Sequence, residues 1–192
     1  MDRDACTDLH RFLGIDSVPA AGTIVITDWH HPHRHAFVKW FLYRYVPPKK
    51  RVALILPCSH VKPYSRSRIR RQLYSLMSRY NLWSCVQVYT LSDLLGLVPI
   101  EVEECYPAAN YEFPPTALGA LKSVLIGIVA HELRKIREFH GKIIAWLPSK
   151  HADIIERAAR ATGIEIELRK YGQLAFHSMK ELVEHLSKVC IQ

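Results

Sequence analysis

An α/β fold, a three-layer α/β/α sandwich on a mostly parallel sheet of about five strands, is predicted by three features of this 192-residue sequence. Short apolar runs alternate with amphipathic stretches five times, the order produced by right-handed strand-helix-strand crossovers. Apolar residues make up 49% of the chain, enough at this length for one sizeable core, so residues 1–192 read as a single domain. Repeats, low-complexity tracts and linkers are lacking.

In order, residues 4–13 read as a helix ended by Gly14 that caps the sheet. The run at 23–27, TIVIT, is the expected first strand, ended by Asp28 and Trp29. HHPHRH, His30 to His35, then feeds a helix with Phe37, Val38, Phe41 and Leu42 at helical spacing. Pro47 and Pro48 make a turn into a buried strand at 51–56, and residues 65–80 form a helix marked by Ile69, Leu73, Leu76 and Met77. Residues 86–90 alternate as a third strand. From 91 to 115 periodicity is weak, with Pro99, Pro107 and Pro114 and the acids Glu101, Glu103 and Glu104. A run this long reads as a functional loop or lid, its acids either binding an amine or neutralising the basic face. A buried helix at 116–139, a strand at 142–147, a helix at 150–162, a strand at 164–168 and a helix at 179–189 complete the chain. Lys150 and His151 follow a strand end, placing them either at the functional rim or simply on the surface.

Charge is distributed unevenly. Residues 29–92 hold twelve lysines and arginines and no acid, while the rest of the chain is net negative and the total is +8. With Trp40, Tyr43, Tyr45, Tyr64, Tyr74 and Tyr80 interleaved, that block is the footprint of a phosphate-backbone partner, RNA rather than merely solvated helices. The five cysteines are odd in number, scattered and never in C-x-x-C pairs, so neither a disulfide framework nor a zinc ribbon is expected. All but Cys58 read as reduced and structural. The histidine run lacks nearby carboxylate or thiol ligands, and no metal or cofactor is expected. Apolar runs are too short to span a membrane and no secretion signal is visible, which predicts a soluble, cytoplasmic protein.

The centre of the chain is the strand-to-helix loop at 57–64. Such loops open at the carboxyl ends of parallel strands, where ligands bind, and the next helix turns its free N–H groups toward an anion. Cys58, His60, Lys62 and Tyr64 share this loop. The stretch Pro57-Cys58-Ser59-His60-Val61-Lys62-Pro63-Tyr64-Ser65-Arg66-Ser67 resembles the P-C-x-x-x-K-P-Y-x-x-S-x-x-H signature of the archaeosine synthase family, archaeal relatives of tRNA-guanine transglycosylase. Only the final histidine differs, being Arg70 here. His31-Pro32, Tyr45-Val46-Pro47-Pro48, Val98-Pro99, Tyr106-Pro107 and Asn110-Tyr111 extend the resemblance over about 27–115. Family members also carry a barrel domain and a terminal RNA-binding domain that have no counterpart in this chain.

The resemblance implies a tRNA-modifying transferase or amidinotransferase that adds an amine, such as lysine, to the nitrile of a 7-cyano-7-deazaguanine base. In that chemistry Cys58 attacks the nitrile, His60 or Lys62 delivers the proton, and Tyr64 stacks on or hydrogen-bonds the base. Ser65, Ser67 and the helix N-terminus hold a phosphate, Arg66, Arg68, Arg70, Arg71, Lys49 and Lys50 grip the RNA, and Asp28, His31 and Tyr111 line the pocket. Arginine cannot shuttle protons, so Arg70 marks either a phosphate anchor or a lost reaction. Two alternatives remain open. One is a non-catalytic tRNA-binding subunit, or a fragment of a split enzyme whose barrel and RNA-binding domains are separate chains; the other is a glycosylase-like hydrolase that recognises a base.

Overall fold

A computed structural model of the chain describes residues 3–114, 117–172 and 175–191. Five strands form one sheet in the order β3-β2-β1-β4-β5: β1 Val52–Pro57, β2 Val86–Ser92, β3 Gly96–Pro99, β4 Lys142–Leu147 and β5 Glu167–Lys170. All neighbours pair in parallel except β2 with β3. Along β1 the side chains alternate between faces as a pleated strand requires. Val52, Leu54 and Leu56 face the helices α3 (Arg68–Arg79) and α6 (Ala175–Ile191) through Leu73, Met77, Met179 and Leu182. Ala53 and Ile55 face the opposite core under α2 (Pro32–Tyr43), α4 (Leu121–Arg137) and α5 (Ser149–Thr162), with α1 (Arg3–Leu13) packed on α2. The expected three-layer α/β/α sandwich is present.

One expected strand is absent and another takes its place. At 23–27 only Ile26 makes an isolated bridge, to Tyr111. The backbone N–H groups of Val25 and Ile26 both donate to the Asn110 carbonyl, while the Asn110 amide donates to the Ala20 and Thr23 carbonyls. Ile24 and Val25 are exposed. A β-branched run makes a strand only when a neighbour pairs with it, and here one asparagine pins the segment instead. The fifth strand is β3, folded back on β2 by a tight hairpin. Ser92 Oγ accepts from the N–H groups of Leu94 and Leu95, and Gly96 has a φ of +80°. A Cβ built at Gly96 would stand 2.5 Å from Glu132 Oε2, so this corner demands glycine twice over.

Smaller shifts occur at the ends of elements. A 3₁₀ turn at Tyr64–Arg66 precedes α3, which Ser67 caps by accepting from the Arg70 N–H at 3.3 Å. Residues 119–120 form a turn before α4, and Thr116, the expected helix start, lies outside the described residues, as does Pro115. The last strand begins at Glu167 rather than Ile164, and α6 begins at Ala175, earlier than expected. The cysteines also differ from expectation. Cys6 pairs with Cys105 and Cys85 with Cys190, each with Cα atoms 5.9 Å apart, a separation that a disulfide spans. Cys58 is the free thiol.

The weakly periodic segment after β2 is not a lid, because nearly every residue from 91 to 111 is buried. Its acids brace the fold from within. Glu101 accepts from Gln87 and Tyr45, Glu103 accepts from the Tyr74 hydroxyl at 2.9 Å, and Glu104 accepts from Ser65. Burial pushes the Glu103 carboxyl up to about 7, against the opposing pull of Arg70 and Tyr74. The folded chain therefore holds this proton more tightly than the unfolded chain. Its stabilising contribution is complete below the ordinary carboxylate value and lost as pH rises through about 7. Denaturant titrations at pH 5 and pH 8 should differ by up to about 3 kcal/mol from this group, and Glu103→Gln should flatten the difference.

Candidate active site

Three loops leave the carboxyl ends of the three central strands, and each delivers one polar side chain to a single point. The chain runs from β1 to β2 on one side and returns to β4 on the other, so β1 and β4 flank a topological switch point, where open α/β sheets bind ligands. Cys58 follows β1, its N–H donating to the Leu91 carbonyl at 3.0 Å. Asp93 follows β2 in the hairpin held by Ser92. His151 stands in the first turn of α5, directly after β4.

Cys58 Sγ lies 3.5 Å from His151 Nε2 and 3.8 Å from Asp93 Oδ2, and His151 Nε2 lies 3.4 Å from Asp93 Oδ1. Asp93 is 4% exposed, while Cys58 and His151 are half-buried. Burial alone would push the imidazole down, but hydrogen bonding to Asp93 and Cys58 and their charges outweigh it, and His151 is pushed up to about 10. Its Nδ1 is buried without a partner among the described residues.

Pockets open on both sides of this cluster. One, of about 260 Å³, is lined by Cys58, Ser67, Arg68, Trp146 and Tyr171; the Trp146 and Tyr171 rings stack with centroids 4.0 Å apart. The other, of about 690 Å³, is lined by Asp93, His151, Lys122, Lys150 and Leu118. Farther along α3 a groove of about 660 Å³ runs between α3 and α6, lined by Arg68, Arg71, Gln72, Phe176 and Lys180 without an acid. The Arg68 guanidinium stands 5.5 Å from the centroid of the Phe176 ring.

The motif residues divide into distinct groups. Lys62 is half-buried and donates to the Ser59 carbonyl, with its Nζ 4.5 Å from the Tyr111 ring centroid. Burial lowers its ammonium, opposed by Cys58, Glu112 and Asp93. His60 is exposed, and the imidazole facing the sulfur is His151. Tyr64 cannot stack on a base as expected, because it is fully buried and its hydroxyl bonds Tyr111 at 2.8 Å. Tyr111 in turn accepts from Ser92 at 2.7 Å, so both tyrosines sit beneath the loop. Arg66, Arg68 and Arg71 are exposed.

Arg70 is not a phosphate anchor. It is 3% exposed and donates to the Pro57 carbonyl at 2.7 Å and to Thr90 Oγ1 at 2.8 Å, tying α3 to the ends of β1 and β2. Lys49 and Lys50 precede β1 at the opposite edge of the sheet, where Lys50 donates to the Val86 carbonyl, so they cannot share a face with the α3 arginines. Ser65 is engaged with Glu104 and Ser67 caps α3. Asp28 accepts from the His30 N–H, and His31 caps α2 by accepting from the His33 N–H at 3.2 Å; neither lines the two pockets beside Cys58.

A mostly parallel sheet with a thiol, an imidazole and a carboxylate at its switch point defines an α/β sandwich with a thiol-bearing site at the strand ends. The chain belongs to the family described as Domain of unknown function (DUF5591), which it matches over residues 35–186. It is 29% identical over 157 residues to archaeosine synthase subunit alpha of Methanosarcina acetivorans, covering 80% of this chain and 24% of that protein. It is 34% identical over 123 residues to the Thermoplasma acidophilum subunit alpha, covering 64% and 24%, and 33% identical over 117 residues to archaeosine synthase of Haloferax volcanii, covering 59% and 19%. The chain is thus an archaeosine synthase-related domain that spans about a fifth to a quarter of the length of these relatives. The crystal structure of AF0587, a protein of unknown function, superposes with a TM-score of 0.55 at 24% identity, over 78% of this chain and 49% of that one, a likeness of fold. Among the described residues no helix is long and apolar enough to cross a membrane.

Proposed function

We propose that this chain acts in tRNA modification of the archaeosine type, with Cys58 as the nucleophile that adds to the nitrile of a 7-cyano-7-deazaguanine base. The observation that carries this is the convergence of Cys58 Sγ, His151 Nε2 and the Asp93 carboxylate beside an aromatic-floored pocket. With the His151 imidazole protonated, the sulfur lone pair forms a C–S bond to the nitrile carbon. One C–N π bond breaks, and its electron pair takes the proton from Nε2, giving a thioimidate. The amine donor then forms a C–N bond at the same carbon as the C–S bond breaks. Its surplus proton returns to His151, so nitrile plus amine becomes an amidine with no external oxidant or reductant. Asp93 orients the imidazole, and the Lys62 ammonium offsets the developing negative charge. The larger pocket past His151 gives the donor its approach.

The test is intact-mass analysis after the chain meets cyano-modified tRNA or the free cyano base without an amine. A covalent gain that maps to Cys58 and vanishes in Cys58→Ser is expected. Amine addition that proceeds undiminished in Cys58→Ser would eliminate the nucleophile.

The α3/α6 groove favours a second reading, an RNA-binding module that does not itself turn over. Under that reading, chains carrying the barrel and terminal RNA-binding domains are partners alongside tRNA. Salt-steep tRNA binding that ignores the cyano group would support it.

A further inference from the structure

We propose that Cys58, Asp93 and His151 also form a three-ligand site for a thiophilic divalent cation, zinc by class, whose binding silences the thiol. This concerns regulation of the proposed catalytic site, and only the effect on catalysis rests on Cys58 being its nucleophile. The three side chains come from three different strand ends, and their ligand atoms all lie within 4.8 Å of one another. Nε2 stands 3.4 Å from Oδ1, longer than an N–H···O hydrogen bond of good geometry, and the sulfur lies 3.5 Å from Nε2 and 3.8 Å from Oδ2. Around a tetrahedral zinc, with about 2.3 Å to sulfur and about 2.0–2.2 Å to nitrogen and oxygen, neighbouring ligand atoms stand roughly 3.3–3.6 Å apart. The triangle has nearly that size, and its longest edge runs to a carboxylate that can turn.

The donor count points the same way. With the thiol hydrogen directed to Asp93 Oδ2, His151 Nε2 has one hydrogen for two acceptors, Sγ and Oδ1, so it serves one of them at a time. A cation can satisfy all three at once. Thiolate, imidazole and carboxylate form a set that suits zinc, and the pockets on either side leave a fourth position open to water. Binding releases the Cys58 thiol proton and any Nε2 proton to solvent, and it ties up the sulfur electron pair needed for attack. Metal-bound histidines usually have their second nitrogen hydrogen-bonded. His151 Nδ1 has no such partner among the described residues, so the site is suited to reversible occupancy rather than to structural zinc.

The experiment titrates the full chain, stripped by chelator and desalted, with cobalt(II) as an optical probe. The expected result is a thiolate-to-cobalt charge-transfer band with tetrahedral d–d bands, saturating at one equivalent and displaced by zinc. Cys58→Ser should lose the charge-transfer band while keeping the wild-type far-UV circular dichroism. Asp93→Asn and His151→Gln should weaken binding by about tenfold or more. In the wild-type chain zinc should also slow alkylation of Cys58 by iodoacetamide, a readout independent of whether any variant folds. A missing tetrahedral spectrum, a band that survives Cys58→Ser, or alkylation indifferent to zinc would overturn the site. Neither measurement uses RNA or turnover. Cobalt binding without a cyano-base adduct therefore removes the nucleophile and keeps the metal, and the reverse pattern removes the metal alone.

Discussion

Serine in place of Cys58 is expected to lower the rate of amine addition to cyano-modified tRNA by roughly 10⁴-fold or more, with little change in tRNA affinity. The substitution exchanges a sulfur for a smaller oxygen at a half-buried rim position, so the core beneath it is undisturbed. What it removes is the electron pair that makes the thioimidate. His151→Ala should cost about 10²–10⁴-fold, the usual range for a positioned proton carrier. Asp93→Asn keeps the shape of the carboxylate but not its charge, so the imidazole loses one of the two partners that hold its proton. The pH profile of the reaction should therefore shift in Asp93→Asn, whereas a merely structural loss would lower the rate equally at every pH. If both Cys58→Ser and His151→Ala turned over at the wild-type rate, the reaction would belong to another part of the chain or to another protein.

Part of this site was legible in the sequence, and the boundary has a physical explanation. Cys58 and Lys62 were visible because one strand-to-helix loop carries both. His151 is 93 positions from Cys58 and Asp93 is 35 away, so no local spacing joins them; the sheet does, by delivering successive carboxyl ends to one edge. That rule reached Lys150 and His151 as candidates but could not choose between rim and surface. It missed Asp93, because the hairpin that aims it sits in a stretch whose side chains are buried on all sides and therefore lack period-2 alternation. Arg70 misled for a related reason. A guanidinium in the first turn of a helix resembles an anion site, and only the packing of α3 against two strand ends shows its partners to be a carbonyl and two hydroxyls. Removing a family histidine and inserting arginine thus bears on how the loop is held rather than on how it reacts.

The α3/α6 groove carries the second large expectation. Of the twelve cations between 29 and 92, Arg34 and Arg70 are buried and spent on internal bonds, while Arg68 and Arg71 converge with Lys180 along an acid-free groove that adjoins the Cys58 pocket through Arg68. Neutralising Arg68, Arg71 and Lys180 together should flatten the salt dependence of tRNA binding by about two log units per log unit of salt, since each single-strand phosphate contact contributes roughly 0.7. At about 0.15 M salt that corresponds to roughly 50-fold weaker binding. Phe176→Ala should weaken binding by about 1–3 kcal/mol without altering the salt slope, the mark of a stacked base rather than a paired phosphate. Lys49→Ala, at the far edge of the sheet, is the decisive contrast. A contiguous chain segment suggested that Lys49 and the α3 arginines act together, yet the parallel strand between them holds them at opposite ends. If Lys49→Ala flattened the salt slope as much as Arg68→Ala, RNA would wrap the amino edge of the sheet and the groove would lose its claim as the principal contact.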